Sequence, residues 1–247
     1  MRIKSQKRVW ESLAETDPLW SILTTNEKLG GMWDIEEFFR TGTMEVQQLM
    51  KELEELNIHC GKDAVLDFGC GVGRVTQAFC KYFDRTDGID ISSRMISLAE
   101  QLNRFPDRCR YAVNDTSDIR QFASDSFDLV YSNIVLQHVA PSIAIQYMKE
   151  FVRVTKHGGL MIFQIPYWLH WRRRIQWRRR IFEALQGFGI KGHSLIKRGF
   201  NPMRMAFLPR QKVETILTST NCTILNVKSW SNENVGSCRY IARKRMD

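Results

Sequence analysis

The stretch Val65-Leu66-Asp67-Phe68-Gly69-Cys70-Gly71-Val72-Gly73-Arg74 puts an acid and three alternating glycines where an apolar run gives way to a helical pattern. Glycines at such a turn tolerate positive φ and leave the backbone bare, next to helix N–H groups that favour an anionic ligand group. A dinucleotide fingerprint needs a glycine or alanine where Arg74 stands, and a Walker A loop needs Gly-Lys-Ser/Thr, which is missing. What remains is D-x-G-x-G-x-G, with Asp90 closing the next apolar run 19 residues beyond Gly71. A carboxylate there is placed to accept hydrogen bonds from the ribose hydroxyls of an adenosyl ligand. Asn114 and Asp115 follow a third run, and an amide or carboxylate at that point could read an adenine amino group.

Something must bring these residues to one edge. Short apolar runs at 64–68, 88–91, 110–113, 127–132 and 160–165 alternate with helical stretches at 72–82, 92–103 and 141–155. Ser92 is an N-cap candidate and Pro141 a first-turn proline. Such alternation predicts parallel β-α-β units, an open doubly wound α/β sheet with helices on both faces. A helix over 209–220 and two strand-like runs, 223–229 and 239–243, follow.

Together these features resemble a class I S-adenosylmethionine-dependent methyltransferase, of small-molecule, bacterial biosynthetic type, over about residues 63–165. The resemblance implies a Rossmann-like seven-stranded sheet, completed by the two closing strands with one of them antiparallel. It implies S-adenosylmethionine as cofactor, its methionine part bordered by Asp67, Gly69, Gly71 and Gly73. Asp90 would hold the ribose, Ile91 would flank the adenine, and Asp115, beside Asn114, would bind the adenine amino group. Ser132, Asn133 and Ile134 would form the loop beside the sulfonium. Four parts are expected: a helical lid over 1–62, the cofactor-binding core over 63–166, a basic aromatic cap over 167–208, and a closing helix and strand pair over 209–247.

His138 lies just past the fourth strand. It could take a proton from the acceptor, or it could be a structural histidine bonded to backbone; methyl transfer can also proceed by positioning alone. Tyr167, Trp168 and His170 are candidate substrate contacts or ordinary packing. Trp20 and Trp33, with Phe38 and Phe39, resemble the lid of these enzymes, and either line the acceptor site or form lid core.

The chain has 247 residues and a net charge of +9, with 43% apolar and 26% charged residues, which excludes a largely disordered chain. No apolar run reaches the ~18 residues of a membrane span, and Met1-Arg2-Ile3-Lys4 leads into no signal core. The six cysteines form no C-x-x-C pair, so no metal is expected, and reduced thiols suit the cytoplasm. The charge is local: residues 170–212 hold twelve Lys/Arg and one acid, Glu183, leaving the rest at 24 basic against 26 acidic. The run Trp171-Arg172-Arg173-Arg174-Ile175-Gln176-Trp177-Arg178-Arg179-Arg180-Ile181-Phe182 fits a plain cap over the site. It also fits a cap that recognises an acidic or carrier-bound acceptor or an anionic membrane surface, or a nucleic-acid contact. The [DNS]-P-P-[YFW] signature of base-amino methylation is absent; Ser132-Asn133-Ile134-Val135 stands there. The expected reaction is methyl transfer to a hydroxyl or amine of a small metabolite. RNA or protein methylation through the arginines, and a non-catalytic cofactor-binding subunit, are the alternatives.

Overall fold

The computed structural model describes residues 3–175, 177–190, 192–198, 200 and 203–246. Helix α1 (Ile3–Thr16) leads into α2 (Pro18–Ile22) through Asp17. The Asp17 side chain caps α2 by accepting from Trp20 N–H at 3.2 Å, and clamps a following loop through Gly30 and Gly31 N–H at 2.7 and 2.8 Å. Helix α3 (Ile35–Glu55) starts on the cap Asp34. Then come β1 (Ala64–Phe68), α4 (Arg74–Phe79), β2 (Arg85–Asp90), α5 (Ser93–Gln101), β3 (Cys109–Val113), β4 (Phe127–Ser132), α6 (Pro141–Val154) and β5 (Thr155–Leu169). The remainder comprises α7 (Trp171–Ile175), α8 (Trp177–Gly187), α9 (Gly192–Lys197), α10 (Arg210–Ser219), β6 (Cys222–Ser231) and β7 (Val235–Lys244).

The seven strands form one sheet in the order β3-β2-β1-β4-β5-β7-β6, with β7 antiparallel to both neighbours and the first five strands parallel. This is the Rossmann-like doubly wound sheet expected from the sequence. Side chains alternate between its faces. Leu66, Val130, Met161 and Tyr240 pack on α6 and α10, through Phe151, Met148, Val213 and Leu217. Val65, Leu129, Leu160, Ile162 and Ile241 pack on Val46, Leu49 and Leu53 of α3 and on Phe79 of α4. Runs buried on both faces explain why these strands read as unbroken apolar stretches.

Two expected boundaries shift. Residues 1–62 are not one lid: α3 is a layer of the core against the sheet, and only the segment before it lies over the cavity described below. The cap does not begin at 167 either, because β5 runs on through Tyr167, Trp168 and Leu169, paired with Val235 and Gly236 of β7. Pro166, which has no N–H to give, sits at the irregularity in that ladder. The cap proper is α7 to α9, whose Phe182, Leu195 and Ile196 pack on Leu13 and Trp20. Lys191, Gln176 and the side chains of Arg173, Arg178 and Lys197 lie outside the described residues.

Candidate active site

The carboxyl ends of β1, β2, β3 and β4 meet at one edge, with Phe68 beside Ile89, Ile89 beside Ala112 and Asp67 beside Tyr131. The strand order reverses across β1 and β4, the point at which open α/β sheets leave a crevice. A cavity opens there. Gly69 and Gly71 form its floor, Ile89, Asp90, Ile91 and Asn114 one wall, and Asn133, Ile134, Val135 and His138 another. Gln6 and Trp10 of α1 and Ser21 and Ile22 around the end of α2 cover it.

The glycine turn is shaped for a close ligand. Gly69 and Gly71 have φ of +80° and +54°. A Cβ on Gly69 would lie 2.3 Å from Val135 Cγ2, and one on Gly71 would lie 2.5 Å from Ile22 Cδ1. Any side chain at either position would fill the cradle. Asp90 spans turn and wall: its Oδ2 accepts Gly71 N–H at 3.1 Å and its Oδ1 accepts Ser92 N–H at 2.9 Å. Burial pushes its carboxyl up to about 6, against the pull of those two hydrogen bonds.

Other expected cofactor residues sit elsewhere. Asp67 lies beneath the turn, buried, its Oδ2 accepting Thr76 Oγ1 at 2.6 Å; burial pushes its carboxyl up to about 7. Gly73 caps α4 and does not reach the cavity wall. Asn114 lines the cavity, whereas Asp115 points out to Lys7 of α1 at 2.8 Å, with half of its side chain exposed. On this wall it is therefore Asn114 that faces the cavity, while Asp115 ties the lid to the core. Ser132 is buried off the wall, its Oγ without a hydrogen-bond partner among the described residues.

His138 lines the cavity but is not a poised base. The Arg204 carbonyl 2.6 Å from Nδ1 can only accept, so Nδ1 carries the proton, and Nε2 faces the Gln137 amide nitrogen at 3.1 Å. Burial lowers its pKa to about 4. Trp10 meets its ring edge-on at 5.4 Å. The bland alternative, a structural histidine bonded to backbone, describes this setting.

A second depression, on the α3 side, shares Asn133 and Ile134 with the first and is lined further by Glu45, Gln137, Gln164, Ser237, Arg239 and Trp230. Its polar groups are pre-set. Glu45 accepts from Arg74 at 2.6 Å, Tyr131 Oη at 2.7 Å and Asn133 Nδ2 at 2.9 Å. Burial opposes its charge, but Arg74 and these donors outweigh burial and hold the carboxyl below the usual range. Arg74, where a dinucleotide site would have its third small residue, is thus the partner of an acid from α3. Ile134, β-branched yet at φ +62°, gives its N–H to Gln164 Oε1 at 3.2 Å, and Gln164 in turn donates to Ser237 Oγ at 2.9 Å. Backbone strain of this kind, about 1–2 kcal/mol, gathers at functional sites.

None of the expected substrate residues lines either space. Trp20 gives its indole N–H to the Thr25 carbonyl at 3.0 Å within the lid core, and Trp33 packs edge-on against Phe38 at 5.5 Å. Tyr167 and Trp168 pack against Gly236, and His170 lies beside Trp171 at the far end of β5. Large apolar groups at the rim of a sheet are needed first to seal it. The residues that sequence reasoning missed are Gln6, Trp10, Tyr147, Glu45 and Gln164. Among them, Gln6 and Trp10, four residues apart on one amphipathic helix, carry a local signal.

Among the described residues, the cavity lining holds one carboxylate, the rings of Trp10, Phe68 and Tyr147, and no lysine or arginine. A phosphate-bearing dinucleotide would find no counter-charge there, while a cationic ligand with donor hydroxyls would find both an acceptor and aromatic faces. Over residues 66–163 the chain matches the family model described as "Methyltransferase domain". Residues 66–163 are a class I methyltransferase domain. The chain is 28% identical over 101 residues to phosphoethanolamine N-methyltransferase 3 of Arabidopsis thaliana, covering 40% of this chain and 21% of that protein. It is 31% identical over 99 residues to malonyl-[acyl-carrier protein] O-methyltransferase of Yersinia pestis, covering 40% of this chain and 35% of that one. The chain thus spans well under half the length of these curated relatives. The fold resembles magnesium protoporphyrin IX methyltransferase from Synechocystis PCC 6803, solved with bound SAH, at a TM-score of 0.62 and 17% identity over 98% of this chain and 99% of that one. The methyltransferase domain accounts for the glycine turn, Asp90 and the cavity walls; the lid and cap lie outside it.

Proposed function

We propose that the chain transfers a methyl group from S-adenosylmethionine to a hydroxyl or amine of a small metabolite. The observation that carries this reading is the covered cavity whose glycine floor, single carboxylate and aromatic walls suit a cationic adenosyl ligand and leave no counter-charge for phosphates. Asp90 would hold the ribose hydroxyls and Asn114 the adenine edge, with Gly69 and Gly71 admitting the amino-acid part against bare backbone. When bound, S-adenosylmethionine supplies an electrophilic methyl group on sulfur. The acceptor would lie in the depression on the α3 side, reaching the first cavity past Asn133 and Ile134, the residues both spaces share.

Transfer from a sulfonium needs an acceptor lone pair held in line more than it needs a strong base. Gln137, Gln164, Ser237 and Arg239 supply donors and acceptors that orient a small polar acceptor, and His138 keeps the wall between the two spaces in register. A carrier-bound or acidic acceptor is compatible with the open side of that depression. Purified chain incubated with methyl-labelled S-adenosylmethionine and fractionated cell extract tests the reading. Label is expected in the small-molecule fraction. Label confined to RNA or protein, or S-adenosylhomocysteine binding with no label in any fraction, would overturn it in favour of a macromolecular acceptor or a non-catalytic subunit.

A further inference from the structure

Methyl transfer leaves the arginine-rich stretch without a task. Helix α8 carries two apolar stripes. Phe182 and Leu185 turn inward, onto the cluster of Leu13, Trp20, Leu195 and Ile196. Trp177, Ile181, Ala184 and Phe188 recur at i, i+4, i+7 and i+11, the spacing of one helix face. That second face is exposed: Trp177 by 49%, Ile181 by 37% and Phe188 by 86%. Phe188 follows the helical course, since its N–H donates to the Ala184 carbonyl at 3.2 Å. On α7, Trp171 and Ile175 are exposed by 58% and 47%. Arg172, Arg174 and Arg180 are exposed beside them, and Glu183 is the one acid in residues 170–212.

A soluble surface seldom shows so much large apolar area without a use for it. These side chains are exposed on the surface and line neither space described above, so a protein partner would need a matching trough for each. Single-stranded nucleic acid could stack on the tryptophans but gives Ile175 and Ile181 nothing to bury against. An anionic bilayer satisfies all of them together: isoleucine and phenylalanine enter the acyl boundary, tryptophan sits at headgroup level, and arginine meets lipid phosphates.

We infer that α7 and α8 form an amphipathic face that docks this chain on the surface of an anionic lipid bilayer. The face is interfacial and not spanning; among the described residues no helix is long and apolar enough to cross a membrane. Because the inner stripe of α8 backs onto Leu13 and Trp20, the docked helix is packed against the elements that cover the cavity. The inference stands apart from the methyl-transfer reading, since docking is measured without turnover.

Co-sedimentation with phosphatidylcholine vesicles, with and without phosphatidylglycerol, tests it. The full chain is expected to pellet with the anionic vesicles and to stay in the supernatant with phosphatidylcholine alone. The double variant Trp177→Ser/Phe188→Ser should lose about tenfold or more in partitioning, as removal of two inserted aromatics implies. Arg180→Glu should weaken the preference for anionic vesicles. Unchanged S-adenosylhomocysteine affinity in these variants, whose altered residues do not line the cavity, shows that they are folded. Three results would overturn the inference: no pelleting at low salt, pelleting indifferent to the double variant, or single-stranded RNA bound more tightly than the vesicles and weakened by the same double variant.

Discussion

Gly71 N–H donates to Asp90 Oδ2 at 3.1 Å, which ties the glycine turn after β1 to the end of β2. The same carboxylate takes Ser92 N–H through its other oxygen. Asp90 is therefore oriented before any ligand arrives, with its remaining lone pairs toward the cavity. Pre-orientation of this kind lowers the ordering cost of binding.

The protonation of Asp90 should control cofactor affinity. Its ordinary value of 3.8 rises to about 6 because burial disfavours the charge. A raised carboxyl is neutral below that value, so its favourable contribution to folding is complete below its unfolded pKa and is lost as pH rises through about 6. Ligand hydroxyls need the charged form, so binding runs the other way. The affinity for S-adenosylhomocysteine should rise with pH through about 6 and be about tenfold weaker at pH 5 than at pH 7. Calorimetric titration across that range reads it. Asp90→Asn should bind weakly throughout and lose this slope; a wild-type affinity flat from pH 5 to 7 would refute the assignment.

Gly69 offers a steric test with a built-in rescue. An alanine there would press its Cβ to 2.3 Å from Val135 Cγ2 while holding φ near +80°. Gly69→Ala should lower S-adenosylhomocysteine affinity at least tenfold and destabilise the fold by about 1–3 kcal/mol. Val135→Ala added to it should restore part of the loss, because the clash is relieved and the backbone strain is not. No rescue in thermal unfolding or binding would mean that backbone strain dominates.

What could be read from the sequence was whatever the local chain determines. In a parallel sheet the residues just past each strand share an edge, so the glycine turn, Asp90, Asn114 and Asn133 were brought together by spacing alone. Whether Asn114 or Asp115 faces the ligand depends on how the chain leaves β3, which spacing does not encode. The run of β5 past Pro166 depends on pairing with β7 much later in the chain. Gln6 and Trp10 enter the site because α1 docks on α5, and Gln164 because Ile134 takes up a strained turn. Such contacts join distant segments and leave no periodic trace.

His138 should prove to be a positioning residue. With Nδ1–H on the Arg204 carbonyl and a pKa of about 4, it is neutral across the physiological range and a weak base. An asparagine in its place could give the same carbonyl an amide hydrogen but could not accept a proton. His138→Asn should keep at least about a third of wild-type turnover and leave the pH–rate profile unchanged between pH 6 and 9, while His138→Ala should lose about tenfold through the missing backbone contact. Equal and severe loss in both variants, with a profile that changes shape, would restore the base assignment.

Glu11 should govern how fast the lid releases its ligand. From α1 its carboxylate accepts Ser93 N–H and Oγ at 2.8 Å each, Ser92 Oγ at 3.0 Å and Arg94 N–H at 3.3 Å, a cap on α5 supplied by another helix. Burial works against its charge, yet the donors from Ser93, Ser92 and Arg94 win and hold its carboxyl below the usual range. Lys7 and Asp115 add an exposed ion pair between lid and core, a contact worth little by itself. Glu11→Ala removes the acceptor shared by these four donors, so α1 should lift more often while the floor of the cavity stays intact. The expected result is a dissociation rate for S-adenosylhomocysteine raised about tenfold, with faster proteolysis between α1 and α3 and an unchanged melting temperature for the sheet. Lys7→Ala should change the rate by less than about threefold. If Glu11→Ala leaves the dissociation rate at its wild-type value, the lid is held by the packing of Leu13 and Trp20 on the cap and not by the α5 contact.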